Sequence, residues 1–204
     1  MSILGRVNKP FLVLVILINV VIFFILHAEK STLRVRYPKN EGGLPVLAQH
    51  SPFTLTRENG SEFSSKELEG KPWLASFIFT SCPNQCPMMI GKLSSFQKIL
   101  PKDLEIVSVS VDPLHDSPDV LKSFSQKYGA DLSRWVFLTG DNKVISNLMS
   151  ELKLGGNESP SMHSLRFVLI DGTQRVRGYY DSEDTNSMKK MLQDARKLEQ
   201  NNGK

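Results

Sequence analysis

The sequence predicts an α/β domain, a sheet with flanking helices, preceded by one N-terminal transmembrane helix. Three observations predict it. Short apolar runs of strand length alternate with segments whose apolar residues recur at helical spacing. The last two strand-like runs flank an Asp-Gly pair, a favoured hairpin turn. The stretch "PFLVLVILINVVIFFIL", Pro10 to Leu26, is apolar apart from Asn19, and a spanning helix needs about 20 mainly apolar residues, with about 17 as the lower limit.

The apolar stretch reads as a signal anchor. Arg6 and Lys9 precede it and favour a cytoplasmic N-terminus, although Lys30, Arg34 and Arg36 follow it and weaken the bias. A cleaved signal peptide is one alternative, with Ala28 at the cut and Leu26 as a poor small residue for it; a buried core helix is the other, disfavoured because the segment is apolar on every face. The expected organisation is a cytoplasmic N-terminus over 1–9, an anchor over 10–28, a polar flexible tether over 29–51 and a folded domain over 52–204. A length of 204 residues suits one domain with a short appendage. With 40% hydrophobic and 23% charged residues, wholesale disorder is excluded. The formal charge is +4, but its lysines and arginines are scattered, with no basic block or interleaved aromatic stripe, so no nucleic-acid partner is expected.

The folded part begins with "PFTLT" as a strand, "RENG" as its turn and "SSKELEG" as a helical turn ending at Gly70. "WLASFIFT", Trp73 to Thr80, is nearly continuously apolar, as in a strand buried on both faces. Met89, Leu93, Phe96 and Leu100 then mark a helix, and "LEIVSVSVD", Leu104 to Asp112, a second core strand. Ser117 before Pro118 starts a helix with Val120, Leu121, Phe124 and Tyr128 on its apolar face, and Gly129 ends it. "WVFLT" is a third core strand. Asp141 caps a helix carrying Val144, Ile145, Leu148 and Leu152. "RFVLI", Asp-Gly and "RVRGYY" form the hairpin, and Met188, Met191, Leu192 and Leu198 mark a closing helix. The order β-α-β-α-β-α-β-β-α implies right-handed parallel crossovers with an antiparallel hairpin at the end. Such sheets bind ligands at the carboxyl ends of their strands.

The stretch "FTSCPNQCPMM" sits at such an end and holds both cysteines, Cys82 and Cys86. The pair can be a staple, a redox couple or a metal clamp. A staple gains little here, because a disulfide's benefit shrinks with the loop it closes. Pro87 inside a helix would clash with the carbonyl of Pro83, so the helix is expected to start at Pro87 with Cys86 at its mouth. There the helix N-terminus would lower thiol pKa values and leave both thiolates accessible. Soft thiolates select Cu(I), and imidazole suits copper in either common state. The histidines are His27 at the membrane edge, His50 in the tether, His115 in a loop after a strand and His163 in "SMHS" before a strand. A loop histidine taken alone reads as solvated.

"FTSCPNQCP" resembles the Cys-Pro-x-x-Cys-Pro loop of the Sco (SenC) family of copper-binding cytochrome c oxidase assembly proteins. "VSVDPLHDSPDVLKSF" is similar to that family's second block and "MHSLRFVLIDG" to its third, and the match spans most of Pro52 to Tyr179. The resemblance implies a thioredoxin-like sheet with flanking helices, one N-terminal transmembrane helix and a domain outside the cytoplasm. The expected placement is a bacterial inner membrane, single-pass, with the C-terminal domain in the periplasm or outside the cell. It also implies one copper, Cu(I) with Cu(II) as a second state, held by Cys82, Cys86 and His163. The implied role is a monomeric metallochaperone serving the copper-accepting subunit of cytochrome c oxidase or another copper protein. The alternative is a thiol-disulfide oxidoreductase with Cys82 and Cys86 as redox-active thiols. A peroxiredoxin-like peroxidase lacks a peroxide-activating motif, and structural zinc usually needs four protein ligands. Two departures stand out. Met162 replaces the family's aspartate before the histidine, which puts the preference between Cu(II) and Cu(I) in question and offers a soft extra donor or a packing residue. "LGGNESPS" ahead of it is short, as in a divergent paralogue serving another copper protein.

Overall fold

The structure is a computed structural model and describes residues 43–154 and 165–202. Eight strands form one sheet: β1 (Ala48–Gln49), β2 (Thr54–Arg57), β3 (Glu62–Ser64), β4 (Trp73–Ile78), β5 (Glu105–Ser110), β6 (Trp135–Thr139), β7 (Arg166–Ile170) and β8 (Arg175–Asp181). Their spatial order is β1-β8-β7-β4-β5-β6-β2-β3. Strands β4, β5 and β6 are parallel, with Ile78 opposite Ser110 and Val109 opposite Leu138. The expected terminal hairpin β7–β8 adds to the sheet antiparallel, with Trp73 opposite Ile170. Four helices follow in chain order: α1 (Gln85–Phe96), α2 (Pro118–Lys127), α3 (Asn142–Glu151) and α4 (Thr185–Asn202). The alternation read from the sequence is therefore present from Trp73 onward.

The central strands are apolar throughout because both faces are covered. Leu74, Ile78, Ile106 and Phe137 pack with Met89, Ile90 and Leu93 of α1, Leu121 and Phe124 of α2, and Met191 and Ala195 of α4. On the other face, Trp73, Phe77, Val107 and Leu138 pack with Ile145 and Leu148 of α3 and with Phe53 and Phe63. The serines that interrupt the strands are bonded to each other: Ser76 and Ser108 hydroxyls lie 2.8 Å apart, and Trp135 Nε1 donates to Ser108 Oγ at 2.9 Å. Buried hydroxyls without such partners would carry a desolvation cost.

Helix starts follow local chemistry. Ser117 Oγ accepts from Val120 N, with Pro118 at the first helical position. Asp141 accepts from Lys143 N at 2.7 Å and Val144 N at 3.1 Å. Gly129 has φ +63°, a conformation that suits glycine at a helix end.

Three local features differ from the sequence reading. The Asp-Gly pair does not make a two-residue turn. The loop runs over residues 171–174, with the positive φ at Gln174 (64°), and Asp171 N donates to Arg175 O. Asp171 is instead a buried anchor, paired with Arg175 (3.1 Å) and Arg177 (2.6 Å). Gly172 is needed for close approach, since a Cβ there would lie 2.7 Å from the Gly70 carbonyl carbon. The sheet also extends further back than the polar composition of 29–51 suggests. Strand β1 pairs with β8, Leu44 is buried, and its carbonyl accepts from Arg177 Nη2 at 2.6 Å. Finally, α1 begins at Gln85 rather than Pro87. A first-turn proline loses no helical hydrogen bond, and Pro83 lies outside the helix, so its carbonyl is not in the way.

Candidate metal centre

The cysteine loop joins the carboxyl end of β4 to α1. Ser81, Pro83, Asn84 and Gln85 are exposed, but the two sulfurs are not at the surface. Cys82 is 8% exposed and Cys86 fully buried, and both are free thiols. Cys86 sits one residue into α1, on the face that carries Met89, Ile90 and Leu93 into the core. The loop folds back on itself: Cys82 N donates to Phe79 O at 3.2 Å and Cys86 N donates to Cys82 Sγ at 3.4 Å.

This geometry separates the two thiols chemically. Partial burial opposes ionisation of Cys82, but the N–H groups of Cys86, Asn84 and Gln85 converge on its sulfur and hold its pKa below the ordinary thiol value. Burial dominates at Cys86 and pushes its thiol up to about 12, with its hydrogen bond to Cys82 and the charge of Asp116 adding to the shift. The expectation that the helix N-terminus would leave two accessible, low-pKa thiolates therefore holds for the pKa of Cys82 alone. Desolvation outweighs the amide field at Cys86.

Asp116 is a further site residue, for which the sequence reading had no role. It is fully buried, and its carboxylate accepts from Thr80 N at 3.0 Å, from the Thr80 hydroxyl and from the Ser110 hydroxyl. It thus ties the carboxyl ends of β4 and β5 together two residues before Cys82. The usable signal was a serine ending one core strand, followed by an aspartate just ahead of the next helix. His115 beside it is exposed, with Nδ1 2.8 Å from the Asp112 carboxylate. His50 is buried far along the chain from the cysteines, between Ser51 O and Gln174 Oε1. His163 and Met162 lie outside the described residues, as do His27 and the apolar stretch Pro10 to Leu26. Among the described residues no helix is long and apolar enough to cross a membrane, and no group of three or more His, Cys, Asp or Glu could hold a metal.

A family model described as SCO1/SenC matches residues 45–200. The chain belongs to the SCO1/SenC family. A SCO1 protein homolog of Bacillus subtilis (strain 168) is 30% identical over 161 residues, covering 74% of this chain and 83% of that protein. The solved structure of BsSco, described as a member of the Sco family of cytochrome c oxidase assembly proteins with a disulfide switch, is 30% identical with a TM-score of 0.69. It covers 77% of this chain and 97% of its own. Yeast Sco1 with copper bound is 27% identical with a TM-score of 0.57, over 72% of this chain and 87% of its own. The SCO1/SenC domain here has the mixed sheet and flanking helices of the thioredoxin-like Sco fold.

Proposed function

We propose that this SCO1/SenC protein is a copper chaperone, with Cu(I) as cargo taken up by Cys82 and Cys86. The observation that carries the reading is the placement of two free thiols on one loop at the carboxyl end of β4, a soft donor pair within hydrogen-bonding reach of each other. Burial shields such a pair from water and suits a singly charged, weakly hydrated ion. Binding at Cys86 displaces a proton that burial otherwise holds on the sulfur, so uptake releases protons. In this proposal His163 supplies the third donor, as the resemblance of "MHSLRFVLIDG" to the family's third block implies. A copper-bound yeast relative and a relative described as a cytochrome c oxidase assembly protein support the cargo and a copper-accepting oxidase subunit as recipient. In the same proposal the chain is a monomer, anchored in a bacterial inner membrane by residues 10–28, with this domain in the periplasm or outside the cell.

A second reading, thiol-disulfide exchange, draws on the unequal thiols. Cys82, with the lower pKa, would attack, and the buried Cys86 would resolve the mixed disulfide. One experiment separates the two. The full chain in mild detergent is reduced and titrated with Cu(I) against a chromophoric chelator, beside Cys82→Ser, Cys86→Ser and His163→Ala. Tight binding of one equivalent, lost in either cysteine variant and weakened in His163→Ala, is the expected result. Absence of tight binding by the parent chain removes the chaperone reading. Unchanged Cu(I) affinity in His163→Ala removes that ligand.

A further inference from the structure

His115 stands on the loop that follows β5 in a form suited to metal transfer. Its side chain is 76% exposed, and Nδ1 lies 2.8 and 2.9 Å from the two carboxylate oxygens of Asp112. A carboxylate acceptor fixes the ring with the proton on Nδ1 and directs the Nε2 lone pair away from it. The preceding Leu114 is 91% exposed, so the loop tip stands clear of the domain.

The loop is also tied to the cysteines. Strands β4 and β5 are parallel neighbours with Ile78 opposite Ser110, so the chain beyond each emerges on the same edge of the sheet. Asp116, next to His115, accepts from Thr80 N at 3.0 Å, two residues before Cys82, and its charge acts on Cys86. Consecutive Cα atoms are about 3.8 Å apart, so the backbone at His115 lies beside the base of the thiol loop, while its imidazole stands exposed against Asp112.

We infer that His115, oriented by Asp112, is a transfer donor that receives Cu(I) at the surface and hands it to Cys82. This rests on the copper reading above. In the first step the Nε2 proton of the imidazolium form leaves to water, and the bond between Cu(I) and the incoming carrier's ligand breaks as the Nε2–Cu bond forms. In the second, the Cys82 Sγ–Cu bond forms, the thiol proton, if present, leaves to water, and the Nε2–Cu bond breaks. Copper stays in the +1 state throughout, and the Nδ1 proton stays between His115 and Asp112.

The test uses the full chain in detergent with His115→Gln and Asp112→Asn, and Cu(I) supplied as a chromophoric chelate. Stopped-flow uptake and chelator-driven release are expected to slow together by about tenfold in His115→Gln. Equilibrium affinity should shift far less than the rates, because a transfer donor lowers the barrier in both directions. Asp112→Asn should slow both in the same direction, because the ring loses the carboxylate that orients it. Uptake by His115→Gln within twofold of the parent overturns the proposal, and so does a loss of affinity as large as the loss of rate. If the parent chain binds no Cu(I), the chaperone reading falls separately. His115 is then judged by Ag(I) added to a Cys82→Ser/Cys86→Ser chain, where an unmoved His115 Nε2 resonance overturns it and a selective shift supports it.

Discussion

Asp116 and Thr80 are joined twice, the carboxylate accepting from both the backbone N–H and the hydroxyl of the threonine. Thr80 lies in the first turn of the cysteine loop, closed by Cys82 N donating to Phe79 O, and Asp116 is the last residue before the cap of α2. The pair therefore sets where the thiol loop leaves the sheet. Ser110, the final residue of β5, adds its hydroxyl to the same carboxylate.

Asp116→Asn should therefore cost more than an ordinary side-chain bond. An amide nitrogen would face donors at Thr80 or Ser110, and at least one buried hydrogen bond to a charged group would be lost, at about 1.5–3 kcal/mol each. A fall of about 2–3 kcal/mol in urea-unfolding free energy is expected. A loss under about 0.5 kcal/mol would show that the loop is held by something else.

Asp171 gives the fold an acid limit. Burial opposes its ionisation, but the Thr173 hydroxyl, the Arg175 N–H and the Arg177 guanidinium outweigh it and hold its pKa below the usual carboxylate value. A depressed folded pKa stabilises the fold above the unfolded value, about 3.9, and that stabilisation is lost as pH falls through the folded pKa. Asp171→Asn removes one side of a buried pair, and a cost of about 3–5 kcal/mol is expected at pH 7. The gap between parent and variant in denaturant midpoint should then shrink below about pH 4. An equal gap at pH 3 and pH 7 would contradict the assignment.

What was legible in the sequence was local. Strand identity at Trp73–Ile78, the Ser117–Pro118 start and the Asp141 cap each follow from neighbouring residues, and the structure has all three. Tertiary burial decided the rest. Arg175 and Arg177 are only four and six residues from Asp171, but their charges read as solvated until the sheet buries all three, so Asp-Gly looked like a plain turn. The depth of Cys86 depends on α1 pressing Ile90 and Leu93 into the sheet, while the sequence shows only that a helix starts nearby. Strand β1 is two residues long and acquires its identity from β8. The histidine expected to complete the site falls outside the described residues.

Gly178 illustrates the same control by burial. A Cβ at this position would lie 2.1 Å from Tyr180 Oη and 2.5 Å from its Cζ. The ring lies over the glycine so that its hydroxyl can donate to buried Asp194 at 2.9 Å, a carboxylate also paired with Lys190 and Lys197. Gly178→Ala must push the ring away, and a cost of about 1–3 kcal/mol is expected from overpacking. In a Tyr180→Ala background the same substitution should cost much less. A double-mutant cycle reads this coupling directly, and strictly additive losses would show that the ring and the glycine are independent.

The inequality of the two thiols leads to the most direct chemical check. The thiolate is the reactive species, and Cys82 ionises below the ordinary thiol range while Cys86 is pushed up to about 12. Cys82 is also the thiol nearer the surface. In metal-free, reduced full-length chain at neutral pH, iodoacetamide should therefore label Cys82 first and Cys86 only after prolonged exposure. Both residues fall between Lys66 and Lys92, and the bond from Lys71 to Pro72 resists trypsin, so tandem mass spectrometry of that one tryptic fragment has to place the label. The rate at Cys82 should rise with pH and level off below the range of a free thiol, because above its pKa no further thiolate forms. The rate at Cys86 should still be climbing at pH 10. Copper should protect both sulfurs if they hold it as proposed. Equal labelling of the two cysteines in the metal-free chain would mean that Cys86 is open to solvent and that burial does not set its protonation.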